Sequence, residues 1–389
     1  MPPVQLTRRQ FLALAGGAVG TQLAHAQAPS ARIDVANAER PRILAEAPSA
    51  LAAPIHPLTS IPSPHGTPHD LFSELAPERT IIDPHSSARI FRAHAEALRN
   101  GSTTIACLAA AYLLTHDERY AQRAGTHLRA WFIAPETRMN PSANLAGCAP
   151  GTQTGTPAGI VDLAPLAELA RATSFLVDSQ ALTPDEFSVL NKWFADLAAW
   201  LDTDRNARIA RDTKDHRASA WLLLRSAIAR ALRDDSGLEA CRRLFRHPTL
   251  RNQINETGVF PQEVATANPY RNTLFNFDLL AGACQLLATP FDQLWDYELI
   301  DGPGIRAVAA YLYPLINDPR KWPFVADADH FRDLPGPRPA LLFTGRAYDR
   351  PEYVALWQKL DSVPIPTEIA DSFPIRQPLL WTARALHGY

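Results

Sequence analysis

The 389-residue chain has no Cys-x-x-Cys pair, no Cys/His spacing of the zinc-site kind and no repeat of fixed period. Without cysteine pairs or metal-type spacing, nothing in the chain calls for a structural metal. The absence of a fixed repeat argues against a regular solenoid. Neither sign of charge dominates: 38 Lys and Arg stand against 40 Asp and Glu, a formal net charge of −2. Such a chain lacks the basic field that draws nucleic acid or an anionic membrane surface. The longest N-terminal apolar run, Phe11 to Leu23, is shorter than the roughly 20 residues that span a bilayer. His65, His69 and Asp70 share a Pro-rich stretch and read as a loop rather than as metal ligands. No metal and no organic cofactor is expected.

What is present begins with Arg8 and Arg9, followed by that apolar run and by Ala24-His25-Ala26. Thr7 to Leu12 resembles a twin-arginine export signal, with small residues where a signal peptidase reads. Removal of residues 1–26 is expected, giving a periplasmic or secreted protein that no longer meets the membrane. It also removes two Arg and no acid, so the mature net charge is −2 − 2 = −4. That export route carries folded proteins, so Cys107, Cys148, Cys241 and Cys284 meet reducing thiols first and are expected to be free.

Residues 27–68 hold eight prolines, and 27–64 reads as a linker or surface arm. From residue 65 onward helix follows helix. Ile90, Phe91, Ala95 and Leu98 share a helical face, and a second apolar stripe follows from Ser102. Thr183-Pro184-Asp185-Glu186 opens a helix with Leu190, Phe194, Leu197 and Leu201 on one side. No run of alternating strands occurs. The expected fold is all-α: an α/α toroid, an incomplete barrel of antiparallel helix pairs, over 65–389. Two irregular stretches, 137–159 and 260–276, are the expected functional loops.

Several stretches then carry a resemblance: HDLFSE at residues 69–74, TRMNPSANLAGCAPGTQTGTPAGIVD at 137–162, NKWFADLAAWL at 191–201, TKDHRASAW at 213–221 and FPQEVATANPYRNTLFNFDLL at 260–280. In this order they resemble the alginate lyase superfamily, the helical-toroid polysaccharide lyases that include alginate and glucuronan lyases. The resemblance implies β-elimination on a uronic-acid polysaccharide. Hydrogen-bond donors take charge from the uronate carboxylate, a base removes the C5 proton, and an acid protonates the leaving oxygen at C4.

The resemblance assigns the family's His to His216, as carboxylate partner or base. Asp215 stands where the family has Asn, and reads either as a protonated donor or as the cap of the helix that follows. The family's catalytic Tyr position holds Asn272, and its Arg positions hold Thr266 and Asn268. Tyr270 is therefore expected as a displaced proton shuttle, with Arg271 as its activating cation, or else as a packing aromatic. Arg138, Asn140, Asn144, Asn268 and Asn272 are the expected substrate contacts. Glu263 is expected to be structural. The Trp-Trp pair that often follows the family's first motif is missing.

Two alternatives stay open. One is a non-catalytic member of the fold that binds an acidic polysaccharide or oligosaccharide. The other is a glycoside hydrolase, which would need a pair of carboxylates across the cleft.

Overall fold

Five helices bury most of their side chains and form the inner wall of the molecule: α2 (Ala93–Thr115), α4 (Pro165–Thr173), α7 (His216–Leu232), α11 (Pro269–Leu287) and α13 (Pro339–Ala347). In α7 every side chain from Ala218 to Ala229 is buried. A helix apolar on all sides is stable only when other elements surround it. Each inner helix packs on the next, α2 on α4, α4 on α7, α7 on α11 and α11 on α13. An outer layer covers them: α1 (Val35–Ala52) and α3 (Glu118–Leu128) on α2, then α5 (Pro184–Thr203), α6 (Arg205–Arg211) and α8 (Asp235–Leu244) on α7. The short α9 (Arg251–Gln253) and α10 (Pro261–Val264) lead into α11. Beyond it α12 (Ile305–Asn317) and α14 (Pro351–Asp361) flank α13, and α15 (Pro378–Thr382) packs against α1, α4 and α11. The arrangement is the all-α toroid. This computed structural model describes residues 32–75, 90–299, 304–327 and 329–384. The expected export segment 1–26 and Ala76 to Thr80, at the missing Trp-Trp pair, lie outside the described residues.

Of the linker or surface arm expected over 27–64, the described part from residue 32 is not a linker but lies on the molecule as an ordered element. Val35–Ala52 is a helix with Pro41 and Pro48 inside it, and Val35, Glu39, Ile43, Ala47 and Ala50 are buried. The inward stripe recurs at three- and four-residue steps, but Glu39 and two alanines thin its apolar character beside Val35 and Ile43, which disguises it. Arg42 fastens this helix to distant parts of the chain. Its side chain meets Glu39 at 2.5 Å, Glu46 at 3.1 Å, Asp361 at 3.0 Å and Gln377 at 3.2 Å. The two expected helices around Ala95 and Ser102 are also one, α2, running through Gly101. A Cβ at Gly101 would come within 3.0 Å of the Trp131 ring.

Irregular backbone collects at one end of the ring. β1 (Phe72–Glu74) and β2 (Leu145–Cys148) form a two-stranded parallel ladder, pairing Phe72 with Leu145 and Glu74 with Cys148. Glu74 accepts from the Phe91 and Gly151 amides at 2.8 and 2.9 Å. Gly147 has φ +65°, and a Cβ there would stand 2.6 Å from the Gly159 nitrogen. Glycine fits both the left-handed backbone and the close approach. The stretch 137–159 is thus a built loop. All four cysteines are buried and free. No helix among the described residues is long and apolar enough to cross a membrane.

Candidate active site

The N-terminal ends of α2, α4, α7 and α11 meet at the end of the ring that carries the ladder. His216 is the first residue of α7. Its ring Nδ1 lies 2.9 Å from Glu263 Oε2, and its backbone amide donates to Glu263 Oε1 at 2.6 Å. Glu263 is fully buried on α10, and Asn276 Nδ2 also donates to it at 3.0 Å. Two protein donors and one ring nitrogen therefore fix this carboxylate. The His216 side chain keeps 20% exposure, and among the described residues Nε2 has no hydrogen-bond partner. Phe275 lies edge-on to the imidazole, with ring centroids 5.8 Å apart. Burial disfavours the imidazolium, but the Glu263 carboxylate outweighs it, and the pKa of His216 is raised above the usual histidine value.

Phe275 also lines a small cleft of about 50 Å³ beside this pair. Its other walls include Arg92 and Arg99 of the α2 face, Asp162 and Arg376. Arg92 bridges Asp162 at 2.7 Å, and Ser73 Oγ donates to the same carboxylate at 2.5 Å. Arg99 and Arg376 have no carboxylate bridge among the described residues. The Arg376 amide instead donates to Glu168 at 2.9 Å, and burial lowers the guanidinium pKa. The cleft carries Asp162, Glu168 and Asp371 as well, so its net charge is balanced, but Arg99 and Arg376 remain without a carboxylate bridge among the described residues and can meet a sugar carboxylate.

The expected proton shuttle does not stand here. Tyr270 is completely buried, its hydroxyl donates to Leu315 O at 2.9 Å, and its ring packs on Trp322 and Phe331. Burial raises its pKa far above the tyrosine range, which is the reverse of what a proton-accepting phenolate needs. Pro269 starts α11, so Tyr270 falls in the first turn and points into the core. Arg271 does not serve it either, because it pairs with Asp371. Asp215 is the N-cap of α7: its side chain accepts from the Arg217 amide at 3.0 Å, and it pairs with the Arg217 guanidinium. Burial pushes its pKa up, but Arg217 and His216 pull it below the usual carboxylate value. Asp215 thus has the geometry of a cap, accepting hydrogen bonds rather than donating one.

The expected substrate contacts divide. Asn140 Nδ2 bonds Asp70 at 2.8 Å, and Asn144 Oδ1 accepts from Trp200 at 2.7 Å, so both side chains hold the loop to its surroundings. Arg138 is exposed on the same loop, and its carbonyl meets His69 Nδ1 at 2.7 Å. Asn268 is exposed ahead of α11, and Asn272 donates to Thr266 at 3.1 Å. These two stand on the segment that carries Glu263, close to His216 in the fold. Arg92, Arg99 and Arg376 were not among the expected residues. The seven-residue spacing of Arg92 and Arg99, two helical turns, was the available signal. Among the described residues no three His, Cys, Asp or Glu side chains group as a metal site.

Comparison with known proteins bears on this architecture. The family model described as alginate lyase matches residues 62–322. No curated protein matches the chain. Among solved structures, an alginate lyase from Bacteroides ovatus superposes with a TM-score of 0.75 at 22% identity, over 90% of this chain and 94% of that one. Alginate lyase A1-III from Sphingomonas species A1 gives 0.51 at 14% identity, over 88% and 94%. A variant of alginate lyase A1-III complexed with tetrasaccharide gives 0.50 at 14%, over 77% and 83%. At such identities the superpositions speak for the fold. With two thirds of its length matched by the family model and the toroid as its architecture, the chain belongs to the alginate lyase family of polysaccharide lyases.

Proposed function

We propose that this protein is an exported lyase that cleaves a uronic-acid polysaccharide, alginate- or glucuronan-like, by β-elimination at His216. The observation that carries the reading is the Glu263–His216 pair, bonded at Nδ1 and open at Nε2. Arg99 and Arg376, the cleft guanidiniums without a carboxylate bridge among the described residues, receive the uronate carboxylate, which lets negative charge build up as the C5–H bond breaks. Neutral His216 takes that proton on Nε2, and Glu263 stabilises the imidazolium that results, as a buried carboxylate does behind a histidine base. The electron pair left at C5 forms the C4=C5 double bond while the C4–O4 bond breaks. The same Nε2–H then protonates the departing oxygen. One group serving as base and acid requires H5 and O4 on the same side of the sugar, as in mannuronate and glucuronate. Guluronate presents them on opposite sides and is the poorer substrate in this reading.

The test uses the mature chain, lacking residues 1–26, with polymannuronate, glucuronan and polyguluronate. Elimination gives an ultraviolet-absorbing unsaturated uronate, and His216→Ala lowers its rate by at least ~10²-fold, the usual contribution of a general base. Undiminished turnover in that variant removes His216 from the mechanism. New reducing ends without absorbance would mean hydrolysis. The burial of Tyr270 and the Asn at position 272 favour a second reading, a glycan-binding member without turnover. Saturable binding with neither signal would support it. Export predicts that the periplasmic or secreted protein starts after Ala26, which N-terminal sequencing reads directly.

A further inference from the structure

The opposite end of the ring holds a second, much larger cavity, of about 1280 Å³. The C-terminal ends of α4, α7, α11 and α13 surround it. Three of its cations are Arg171 on α4, Arg230 on α7 and Arg346 on α13, and its aromatic wall includes Trp295, Phe343 and Trp381.

The cations lack the partners seen elsewhere in the molecule. Arg338 in the core is paired with Asp278 at 2.7 Å, and Arg242, on the wall of the same cavity, reaches Glu239 at 3.4 Å. Arg171, Arg230 and Arg346 form no ion pair with a carboxylate among the described residues. Arg171 is only 7% exposed, and its Nε has no hydrogen-bond partner. Its Nη2 donates to Leu380 O at 2.9 Å, and Arg230 Nη2 donates to Leu286 O. Burial and the neighbouring Arg230 lower the Arg171 pKa to about 10. Burial and Arg242 lower that of Arg230 as well. The carbonyl ends of the surrounding helices offset part of this charge. Of the carboxylates on the wall, Glu239 and Asp292 pair with Arg242 and Arg246, and Asp235 offsets Arg230 without bridging it. Arg171 thus keeps no paired anion among the described residues, and an unpaired buried cation is costly.

We propose that this cavity is a second binding site, separate from the His216 cleft, for a short carboxylate-bearing oligosaccharide. Guanidinium forks match carboxylates bidentately. Phe291, fully exposed on the wall, offers a flat apolar surface on which the carbon face of a sugar packs, whereas Trp295, Phe343 and Trp381 are buried. The volume suits a ligand of several sugar rings and far exceeds that of an inorganic anion. The site requires no turnover at His216, so its failure leaves the lyase reading untouched.

The test is calorimetric titration of the mature chain, carrying His216→Ala to prevent turnover, with a tetraglucuronate and a tetramannuronate. Inorganic phosphate and a neutral gluco-oligosaccharide are the controls. Two sites per chain are expected. Adding Arg230→Gln and Arg346→Gln removes one of them, or weakens it at least tenfold, while leaving the other. Thermal unfolding reports the same site: the oligouronate raises the midpoint more in the parent than in the double variant. If the double variant fails to fold, Arg346→Gln alone, at the exposed mouth, gives the same comparison. One site in the parent, unchanged binding in the variants, or displacement of the sugar acid by phosphate at equal concentration would each overturn the proposal.

Discussion

At the scale of single residues, the ring of His216 is bonded at one nitrogen and open at the other, and in the proposed mechanism its charge state links activity to stability. Because Glu263 raises its pKa, the pair stabilises the fold fully below the usual histidine value of about 6.5. That contribution is lost as pH rises through the raised value. The neutral base appears over the same rise, so the ascending limb of kcat/KM should lie on the alkaline side of 6.5. Glu263→Gln should move that limb to lower pH and reduce the maximal rate by ~10²-fold. A limb that stays in place would show that Glu263 does not set the basicity. Tyr270→Phe should leave turnover within a few-fold and lower stability by about 1–3 kcal/mol, since Leu315 O loses its buried donor. A large loss of kcat with intact stability would return Tyr270 to the chemistry. The motif around residue 216 marked His216 as a candidate. Its partner stands 47 residues away, and the tertiary contact joining them has no local signature.

At the scale of elements, the site depends on how helices start. Asp215→Ala should cost about 1 kcal/mol, the usual worth of an N-cap. Turnover should persist, with the pH limb moving slightly down because one negative neighbour of His216 is gone. A loss of turnover like that of His216→Ala would place Asp215 on the substrate. Gly147→Ala should destabilise by more than the ~1–2 kcal/mol of a left-handed φ alone. The added methyl group also meets the Gly159 backbone, and thermal unfolding reads the combined loss. The start of α5 was legible because Thr183 and Glu186 form a reciprocal capping box. The helix α1 was not, because prolines usually end helices and Glu39 and two alanines thin its apolar stripe. Nor was the displacement of Tyr270 into the core, since it follows from where Pro269 starts α11.

At the scale of the whole molecule, the same toroid presents two unlike ends, one with His216 and helix N-termini, the other with unpaired arginines and helix C-termini. The fold class followed from the succession of apolar helices, whereas the separation of cations into two clusters arises only once the ring is assembled. The Arg42 contacts also belong to this scale. Burial raises the Glu39 pKa to about 8 even beside Arg42, so in Arg42→Met this carboxyl stays buried and protonated, and the loss should be about 1–3 kcal/mol from its missing donors. Chemical denaturation measures this directly, and an unchanged midpoint would mean that Arg42 does not fasten the helix. Asp361 and Gln377 lie 319 and 335 residues beyond Arg42. A nascent chain can lay this helix on α2 early, but the Arg42 contacts to Asp361 and Gln377 close only when translation is nearly complete. Ribosome-bound fragments that stop before Asp361 should therefore be cleaved faster by protease near residue 42 than the full chain.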